Sequence, residues 1–479
     1  MNQNEPAPLA SHRILRKFSY LLSAYWVREV LQFLFFAYLA RKSATIRGQF
    51  DIAITMGQII LFISEFGLNQ HLATILSKNK DDPSHTESIL AQVTLVKSGL
   101  LLTGFLIMMG MAFWQGYSTT LILLALAMGA GFGMEALATS FFVACQIQGR
   151  QKEEGVLRSV TSLGAFGYAF STLALGLSPV FVALFKLVET FSNFLGAAAI
   201  TVRRLRFRLR KEELNAIWAT WRGGIVYTLI GASAILYNKI NIFFLKNAAG
   251  VEVVPQYSVA LQVVDGFSIL VSGLLLKNVM FPLFLTLWNT KREEFIRLAR
   301  TSTRWLFIVA LPLIFILYME SDRIILIFGD KYPDAVWVQK YLSFSILIAF
   351  LHNLAAFLMI SMQRQRILLV FYLSGLAFNL VFCTLAIPRY PLLGSSLAFV
   401  LTKAFVAVMT VGYCQIRIGL IPLRSLLTLL AMVLLGAALY IPASLWLFRE
   451  AAELLALVPM AGLALYWSRI YLLKKGEPS

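Results

Sequence analysis

Charged residues are scarce in this sequence, and their scarcity excludes an ordinary soluble domain. Only 14% of the 479 residues are charged and 59% are hydrophobic, with a mean hydropathy of +0.74. A soluble domain has about 25% charged and about 45–50% apolar residues. The hydrophobic runs are continuous and do not alternate with polar residues, which excludes the strands of a membrane barrel. Backbone groups in lipid must be paired within their own segment, so we expect the runs to be α-helices.

Cysteine is also scarce, and the spacing of the three cysteines excludes two common frameworks. Cys145, Cys383 and Cys414 are far apart and all lie in hydrophobic runs. No Cys-x-x-Cys pair and no Cys/His ligand spacing is present, so neither a disulfide framework nor a zinc site is expected. A phosphate-binding loop with a following Lys-Ser/Thr is absent too. The sequence therefore predicts a protein without a resident cofactor or metal.

The hydrophobic runs are long enough to predict about fourteen membrane-spanning helices. The least certain division is a short turn at Gly176–Pro179, between the fifth and sixth runs. The predicted spans are 18–40, 51–76, 88–112, 118–145, 158–177, 180–202, 223–247, 254–286, 303–320, 336–361, 367–388, 393–415, 424–446 and 452–472.

The net charge of +18 is distributed unevenly over the connections between these runs. Alternate connections carry most of the lysines and arginines, and the positive-inside rule makes those connections and both termini cytoplasmic. The most basic stretch, Arg203–Lys211, is therefore interpreted as a topology signal and a contact for membrane phospholipids. No nucleic-acid-binding motif accompanies it, so no nucleic-acid partner is expected.

Three short segments of the first half recur in the second half at shifts of about 210 residues, six spans later. An even number of spans leaves the two halves in one orientation, which is the parallel kind of repeat found in transporters. The sequence thus predicts an N-terminal lobe at 1–212, a C-terminal lobe at 213–418, each with six helices, and two additional helices at 419–479. The repeated pairs are Gly48–Gln58 with Pro255–Asp265, Gln148–Lys152 with Met362–Arg366, and Phe170–Leu175 with Phe382–Ile387.

Four motifs, in order along the chain, carry a resemblance to a known family. They are "EFGLNQHLATILSK" (Glu65–Lys78), "QGRQK" (Gln148–Lys152), "LIFGDKYPDA" (Leu326–Ala335) and the long segment Phe378–Phe405. Together they resemble the polysaccharide-transporter branch, with its O-antigen flippases, of the multidrug/oligosaccharidyl-lipid/polysaccharide (MOP) flippase superfamily. The chain departs from that pattern in the last segment, where Pro391 stands near a usual glycine and Lys403 stands where relatives commonly carry an acid.

The resemblance implies a function that composition alone does not give. Such proteins move an oligosaccharide linked to a lipid, usually undecaprenyl pyrophosphate, from the inner to the outer leaflet of a bacterial cytoplasmic membrane. Two lobes open alternately to each side around a central cavity. The resemblance implies a transporter and not an enzyme, with polysaccharide polymerases and glycosyltransferases as candidate partners.

Cations deep within the predicted spans are the candidate substrate-binding residues. A charged side chain at mid-membrane costs about 3 kcal/mol on insertion scales and usually faces an aqueous cavity or a partner. A pyrophosphate leaving water would be stabilised by fixed positive charges in a low-dielectric site. The candidates are Arg28, Lys97, Lys239, Lys277 and Lys403.

Two buried acids, Glu65 and Asp265, occupy equivalent helices of the two predicted lobes. Either carboxylate is a candidate for taking up a proton or holding a sodium ion that couples transport, because desolvation favours the protonated form. The alternative is that these acids form fixed ion pairs with the lysines. Gln70 and His71, which follow Glu65, align in the repeat with Lys277 and its neighbour and predict a polar seam between the lobes.

Three other functions remain in competition at the sequence level. A drug or metabolite antiporter of the same superfamily would need an acid-lined cavity for cationic drugs, whereas the deep charges here are mainly positive. A glycan polymerase or ligase would need a large outer loop with catalytic residues, and the longest outer connection, 321–335, holds no folded domain. A non-transporting assembly partner stays open.

Overall fold

The computed structural model describes residues 7–65, 83–202, 228–269 and 280–475, and isolated positions at 68–69, 72–73, 76, 225–226 and 276. In this part of the chain all regular secondary structure is helical. Eleven of the helices are long and apolar enough to cross a membrane. The prediction of an all-α integral membrane protein is confirmed.

The described helices fall into two compact units, which are treated separately. The first unit comprises Met1–Pro255 and Phe328–Lys331, and the second comprises Gln256–Ile327 and Tyr332–Ser479. The lobe boundaries predicted at 212 and 418 stay predictions, and residue 212 lies outside the described ranges.

The first unit contains seven long helices among its described residues. They are α1 (Ala7–Lys42), α2 (Ala44–Glu65), α3 (Pro83–Trp114), α4 (Thr119–Ile147), α5 (Gln151–Ala174), α6 (Pro179–Thr201) and α7 (Thr228–Ala249).

Helix α4 is the most buried helix of the first unit, and its small residues explain why. It packs against α2, α3 and α6. Gly57 on α2 and Gly131 on α4 lie so close to neighbouring helices that an added Cβ would meet other atoms at 2.3 Å and 2.6 Å, respectively. Small residues that allow close approach are characteristic of helix packing in membranes.

A separate aromatic cluster joins α1 to α5 and α6. The ring of Phe35 is fully buried and lies 5.1 Å from the ring of Phe185 and 6.0 Å from that of Phe166, centroid to centroid. Between α5 and α6 the chain reverses where the sequence predicts a turn: Gly176 adopts a positive φ of 69°, and Pro179 begins α6. Glycine tolerates that left-handed conformation, and proline is well suited to a first helical position.

The second unit contains the remaining helices of the described chain. They are α8 (Val254–Ile269), α9 (Phe281–Thr290), α10 (Arg292–Met319), α11 (Ser321–Leu326), α12 (Pro333–Ser343), α13 (Ser345–Ser361), α14 (Gln365–Ala386), α15 (Pro391–Ile418), α16 (Leu423–Trp446) and α17 (Arg449–Lys475). Helices α12 and α13 form one candidate span, Pro333–Ser361.

The last two helices pack on each other and on α10 through an apolar contact around Phe307, Leu429 and Met460. An ion cluster reinforces this attachment at one end. Arg449 contacts Glu320 through Nε at 2.9 Å and Asp322 through Nη2 at 2.8 Å. Hydrogen bonding from Arg449 holds the pKa of the Asp322 carboxyl well below its usual value. The pair of helices that follows the repeat is thus bound to the second unit.

Three of the fourteen predicted spans are not among the eleven candidate spans. Two of them are the long helices α1 and α5, whose sequences include charged residues such as Arg28 and Arg158. The third, predicted at 254–286, passes through 270–275 and 277–279, which lie outside the described residues.

Candidate functional site

Four charged side chains from three helices of the first unit form an ion network. Arg28 on α1 contacts Glu189 on α6, with Nε 3.1 Å from Oε1. Its Nη2 lies 3.5 Å from Oε1 of Glu135 on α4. Lys186 on α6 contacts both acids, with Nζ 2.7 Å from Oε2 of Glu135 and 3.0 Å from Oε2 of Glu189. Two cations and two carboxylates therefore balance each other within the membrane-spanning part of the unit.

The network has a buried side, formed by Glu189 and Lys186, and an accessible edge, formed by Arg28 and Glu135. The side chains of Glu189 and Lys186 are only 3% and 5% exposed, whereas those of Arg28 and Glu135 are 25% and 19% exposed. Ser162 on α5 donates a hydrogen bond of 2.9 Å to Oε1 of Glu189. Glu189 is thus fixed by three partners, while Glu135 is held closely by Lys186 and loosely by Arg28.

Local sequence explains how these side chains meet. Lys186 and Glu189 are three residues apart on α6, so they share one face of the helix. Gly131 brings α4 against α6 because a Cβ there would lie 2.6 Å from Cγ of Lys186. The same approach places the Lys186 ammonium 4.9 Å from the ring centroid of Phe132. Lys186 and Glu189 therefore neutralise each other in part on one face of α6.

A second polar cluster in the first unit encloses Lys97 on α3. Its side chain is fully buried, and Nζ donates to Oδ1 of Asn69 at 2.7 Å and to the carbonyl oxygen of Ala136 at 2.6 Å. Oγ1 of Thr139 lies 3.4 Å from the same ammonium. The charge of Lys97 is satisfied mainly by neutral oxygens of its own unit.

Glu65, the predicted coupling acid, belongs to the same cluster. Its Oε1 accepts hydrogen bonds from Nδ2 of Asn69 at 3.0 Å and from Oγ1 of Thr139 at 2.9 Å. Asn69 and Thr139 thus connect the carboxylate of Glu65 to the ammonium of Lys97. Gln70 and His71, also expected at this height, lie outside the described residues.

The second unit pairs the other predicted acid with a predicted cation. Nζ of Lys403 on α15 lies 3.7 Å from Oδ1 of Asp265 on α8 and 3.8 Å from the ring centroid of Phe399. His352 is buried between Tyr372 and Thr410, with hydrogen bonds of 2.8 Å and 3.1 Å. Lys403 and Asp265 therefore form an ion pair, which was the alternative reading of the buried acids.

The two remaining candidate substrate-binding residues are Lys239 and Lys277. Lys239 is half-buried on α7. Lys277 lies outside the described residues. Among the side chains that the structure describes, no group of three or more His, Cys, Asp or Glu residues is arranged to hold a metal ion.

Sequence reasoning missed the partners that link these charges. Glu135 joins Arg28 to Lys186, and Thr139 joins Glu65 to Lys97; both stand on α4, one turn apart. Glu135 could be recognised from the sequence as an acid inside a hydrophobic run, but its partners lie on distant helices. Thr139 gave no signal, because a threonine in a spanning helix is common.

A family model describes much of the chain. Residues 14–288 match the family described as polysaccharide biosynthesis protein. This is more than half of the chain and includes the ion network and the Lys97 cluster. No curated protein sequence matches the chain.

Solved structures of MOP-superfamily proteins share the fold. An inward-facing multidrug resistance MATE family transporter aligns with a TM-score of 0.63 at 13% identity, over 82% of this chain and 94% of that one. The lipid II flippase MurJ, in an inward closed conformation, also gives 0.63, at 11% identity over 95% and 99%. A MOP-superfamily transporter from Pyrococcus furiosus gives 0.57, at 14% identity over 85% and 95%.

These likenesses cover nearly the whole length of each solved chain, and they establish the fold at identities too low to transfer a substrate. The family match and the shared fold therefore come from two independent comparisons, one of sequence and one of structure. The chain belongs to the polysaccharide biosynthesis protein family and has the fold of these MOP-superfamily transporters.

Proposed function

We propose that this protein is a flippase for a lipid-linked oligosaccharide. Its cargo would be an O-antigen or other surface-polysaccharide unit on undecaprenyl pyrophosphate. Alternating access would move the cargo from the inner to the outer leaflet of a bacterial cytoplasmic membrane, with both termini in the cytoplasm. Membership of the polysaccharide biosynthesis family supports this proposal, as does the shared fold with a lipid II flippase.

The observation that carries the proposal within the site is the partly exposed side chain of Arg28. Its side chain is 25% exposed, whereas that of Lys403 is 10% exposed and Lys97 is fully enclosed. A planar guanidinium presents several N–H donors and binds phosphate oxygens well. Arg28 is therefore the first candidate for contact with the pyrophosphate group.

The other predicted site residues remain proposals with different roles. Lys239, Lys277 and Lys403 would supply further positive charge along the path of the cargo. Lys97 is enclosed by its own unit, so a contact with cargo would require its hydrogen bonds to open. Glu65 and Asp265 are proposed to couple transport to protons or sodium ions. Each is linked to a buried lysine, and protonation of the carboxylate would remove the negative charge that balances that lysine.

A drug or metabolite antiporter is the second candidate, because the MATE transporter shares the fold to the same degree as the flippase. Polysaccharide polymerases and glycosyltransferases are proposed partners only for the flippase. The two functions predict different consequences when the gene is removed.

Gene deletion with complementation in the host bacterium tests the proposal. We expect loss of surface polysaccharide and accumulation of undecaprenyl-linked units on the cytoplasmic side. Wild type and Arg366→Ala, which removes an exposed arginine, should restore the polysaccharide, whereas Arg28→Ala should reach the membrane without restoring it. Unchanged polysaccharide with altered drug sensitivity would overturn the flippase in favour of the antiporter.

Purified protein in lipid vesicles separates transport from assembly. A fluorescent sugar on a polyprenyl pyrophosphate should change leaflet in vesicles that contain the wild-type protein and not in empty vesicles. An absence of movement, combined with loss of polysaccharide in the deletion strain, would favour a non-transporting assembly partner.

A further inference from the structure

We propose that the Arg28–Glu135 edge of the ion network is an anion-exchange site, in which a diphosphate replaces the carboxylate of Glu135 at Arg28. This inference rests on the proposed flippase function and deepens it. It makes Glu135 an internal competitor of the cargo and Lys186 the residue that retains Glu135 after the exchange.

The distances show which contact of the network is the weaker one. Nη2 of Arg28 lies 3.5 Å from Glu135, beyond the 2.7–2.9 Å that is typical of a charge-assisted hydrogen bond. Nζ of Lys186 lies 2.7 Å from the other oxygen of Glu135. Separating Glu135 from Arg28 therefore loses a long contact and leaves a short one intact.

The burial of the four side chains gives the exchange a direction. Glu189 is 3% exposed, accepts hydrogen bonds from Lys186 and Ser162, and forms an ion pair with Nε of Arg28, so it holds the buried side of the guanidinium. Arg28 and Glu135 form the accessible edge of the network. An incoming anion would reach the outer nitrogen of Arg28 on the edge where Glu135 is bound, while Glu189 keeps the guanidinium in place.

The charge balance explains why a competitor is useful. An isolated arginine in a low-dielectric environment would bind a diphosphate tightly and release it slowly. Glu189 pairs with the Nε side of the guanidinium throughout, and Glu135 pairs with its outer nitrogen before the cargo arrives and after it leaves. Binding is then weaker than at a bare cation, and the protein never holds an unpaired buried charge, which would be strongly destabilising.

Inorganic pyrophosphate is the probe, titrated into the purified full-length protein in detergent at low ionic strength and followed by calorimetry. We expect Glu135→Gln to tighten binding about tenfold, which corresponds to about 1.4 kcal/mol. Glutamine has the shape of glutamate and can still accept from Lys186, so folding should be preserved. The tightening should disappear in the double variant Glu135→Gln/Arg28→Ala.

A matched control removes the same charge elsewhere in the unit. Glu154 is a buried acid 3.0 Å from Arg158, and it has no contact with the four charged side chains of the network. Glu154→Gln should leave pyrophosphate affinity within about twofold of wild type. Glu154 does not contact Arg28, and its electrostatic effect on an anion bound there falls with distance. An equal tightening in Glu154→Gln would mean a general charge effect and would overturn the exchange.

The remaining outcomes separate the exchange from the flippase itself. If Arg28→Ala weakens pyrophosphate binding but Glu135→Gln does not strengthen it, the exchange is wrong and the flippase proposal stands. If Arg28→Ala leaves pyrophosphate binding unchanged, neither the exchange nor the contact of Arg28 with cargo is correct. In the vesicle assay, tighter binding in Glu135→Gln should accompany slower leaflet transfer, which a purely structural role of Glu135 would not produce.

Discussion

Lys97 and Arg28 are both cations deep in predicted spans, yet the structure gives them different surroundings. Lys97 donates to oxygens of Asn69 and Ala136 and has no exposed surface. Arg28 contacts two carboxylates and remains partly accessible. A buried cation satisfied by neutral oxygens mainly holds helices together, whereas a paired and accessible one can exchange its partner.

Removing Lys97 should therefore destabilise the protein. In Lys97→Ala the Oδ1 atom of Asn69 loses the ammonium donor, and a buried unsatisfied group costs about 1–3 kcal/mol, whereas Thr139 still donates to the carbonyl oxygen of Ala136. We expect a clearly lower melting temperature of the purified protein, measured by thermal unfolding in detergent. Lys291→Ala is the control, since that lysine is 65% exposed and pairs only with Glu294 in its own helix end. Equal melting temperatures for Lys97→Ala and wild type would contradict the structural role.

Sequence reasoning at this scale could find the charges but not their partners. Only a pair within one helix, such as Lys186 and Glu189, follows from the sequence, because a spacing of three residues places both on one helical face. The contact between Arg28 and Glu135 joins helices more than a hundred residues apart, and nothing local to either residue specifies it. Tertiary packing decides such pairs. The position of Arg28 deep within a predicted span therefore indicates that it needs a partner, but not which residue that partner is.

Helix α4 connects both polar clusters of the first unit. Glu135 contributes to the ion network, and the carbonyl oxygen of Ala136 accepts from Lys97. The position of α4 against α6 depends on Gly131, where a Cβ would lie 2.6 Å from Cγ of Lys186 and 3.0 Å from the backbone nitrogen of Leu187. The glycines of the segment Gly129–Gly133 allow this close packing of α4.

Adding one methyl group at Gly131 tests how tightly the element is constrained. Gly131→Ala forces α4 away from the α6 backbone, and overpacking of this kind costs about 1–3 kcal/mol. We expect a lower melting temperature and, because Lys186 is displaced, weaker pyrophosphate binding. In Gly164→Ala, on the exposed face of α5, the new Cβ meets nothing within 4 Å. That variant gains about 1 kcal/mol of helix propensity and should melt no lower than wild type.

The positions of whole elements were easier to predict than their contacts. The turn at Gly176–Pro179 was visible because a glycine and a proline interrupt an otherwise continuous apolar run, and α5 and α6 are separated there. Spans with polar faces, such as α1 and α5, fall below a simple apolarity criterion although they are long helices. Hydropathy therefore finds apolar helices whether buried or exposed, such as the buried helix α4, and misses α1 and α5, whose sequences contain more charged and polar residues.

For the whole molecule, the distribution of lysine and arginine predicts one orientation in the membrane. The connection between α3 and α4 has no basic residue, whereas Arg150 lies in the connection between α4 and α5 and Lys152 lies in the first turn of α5. The positive-inside rule places the first outside and the second in the cytoplasm, with both termini inside. The predicted repeat has an even number of spans between its copies and so predicts the same orientation for both halves.

Single cysteines at these two connections test the orientation. The native cysteines Cys145, Cys383 and Cys414 are all buried, so the wild-type protein should react little with a membrane-impermeant maleimide. Thr119→Cys and Lys152→Cys each add an exposed thiol. We expect Thr119→Cys to be labelled in cells whose outer layers have been removed and whose cytoplasmic membrane is intact. Lys152→Cys should be labelled only after the cytoplasmic membrane is permeabilised. The reverse pattern would place the basic connections outside and would overturn the predicted orientation.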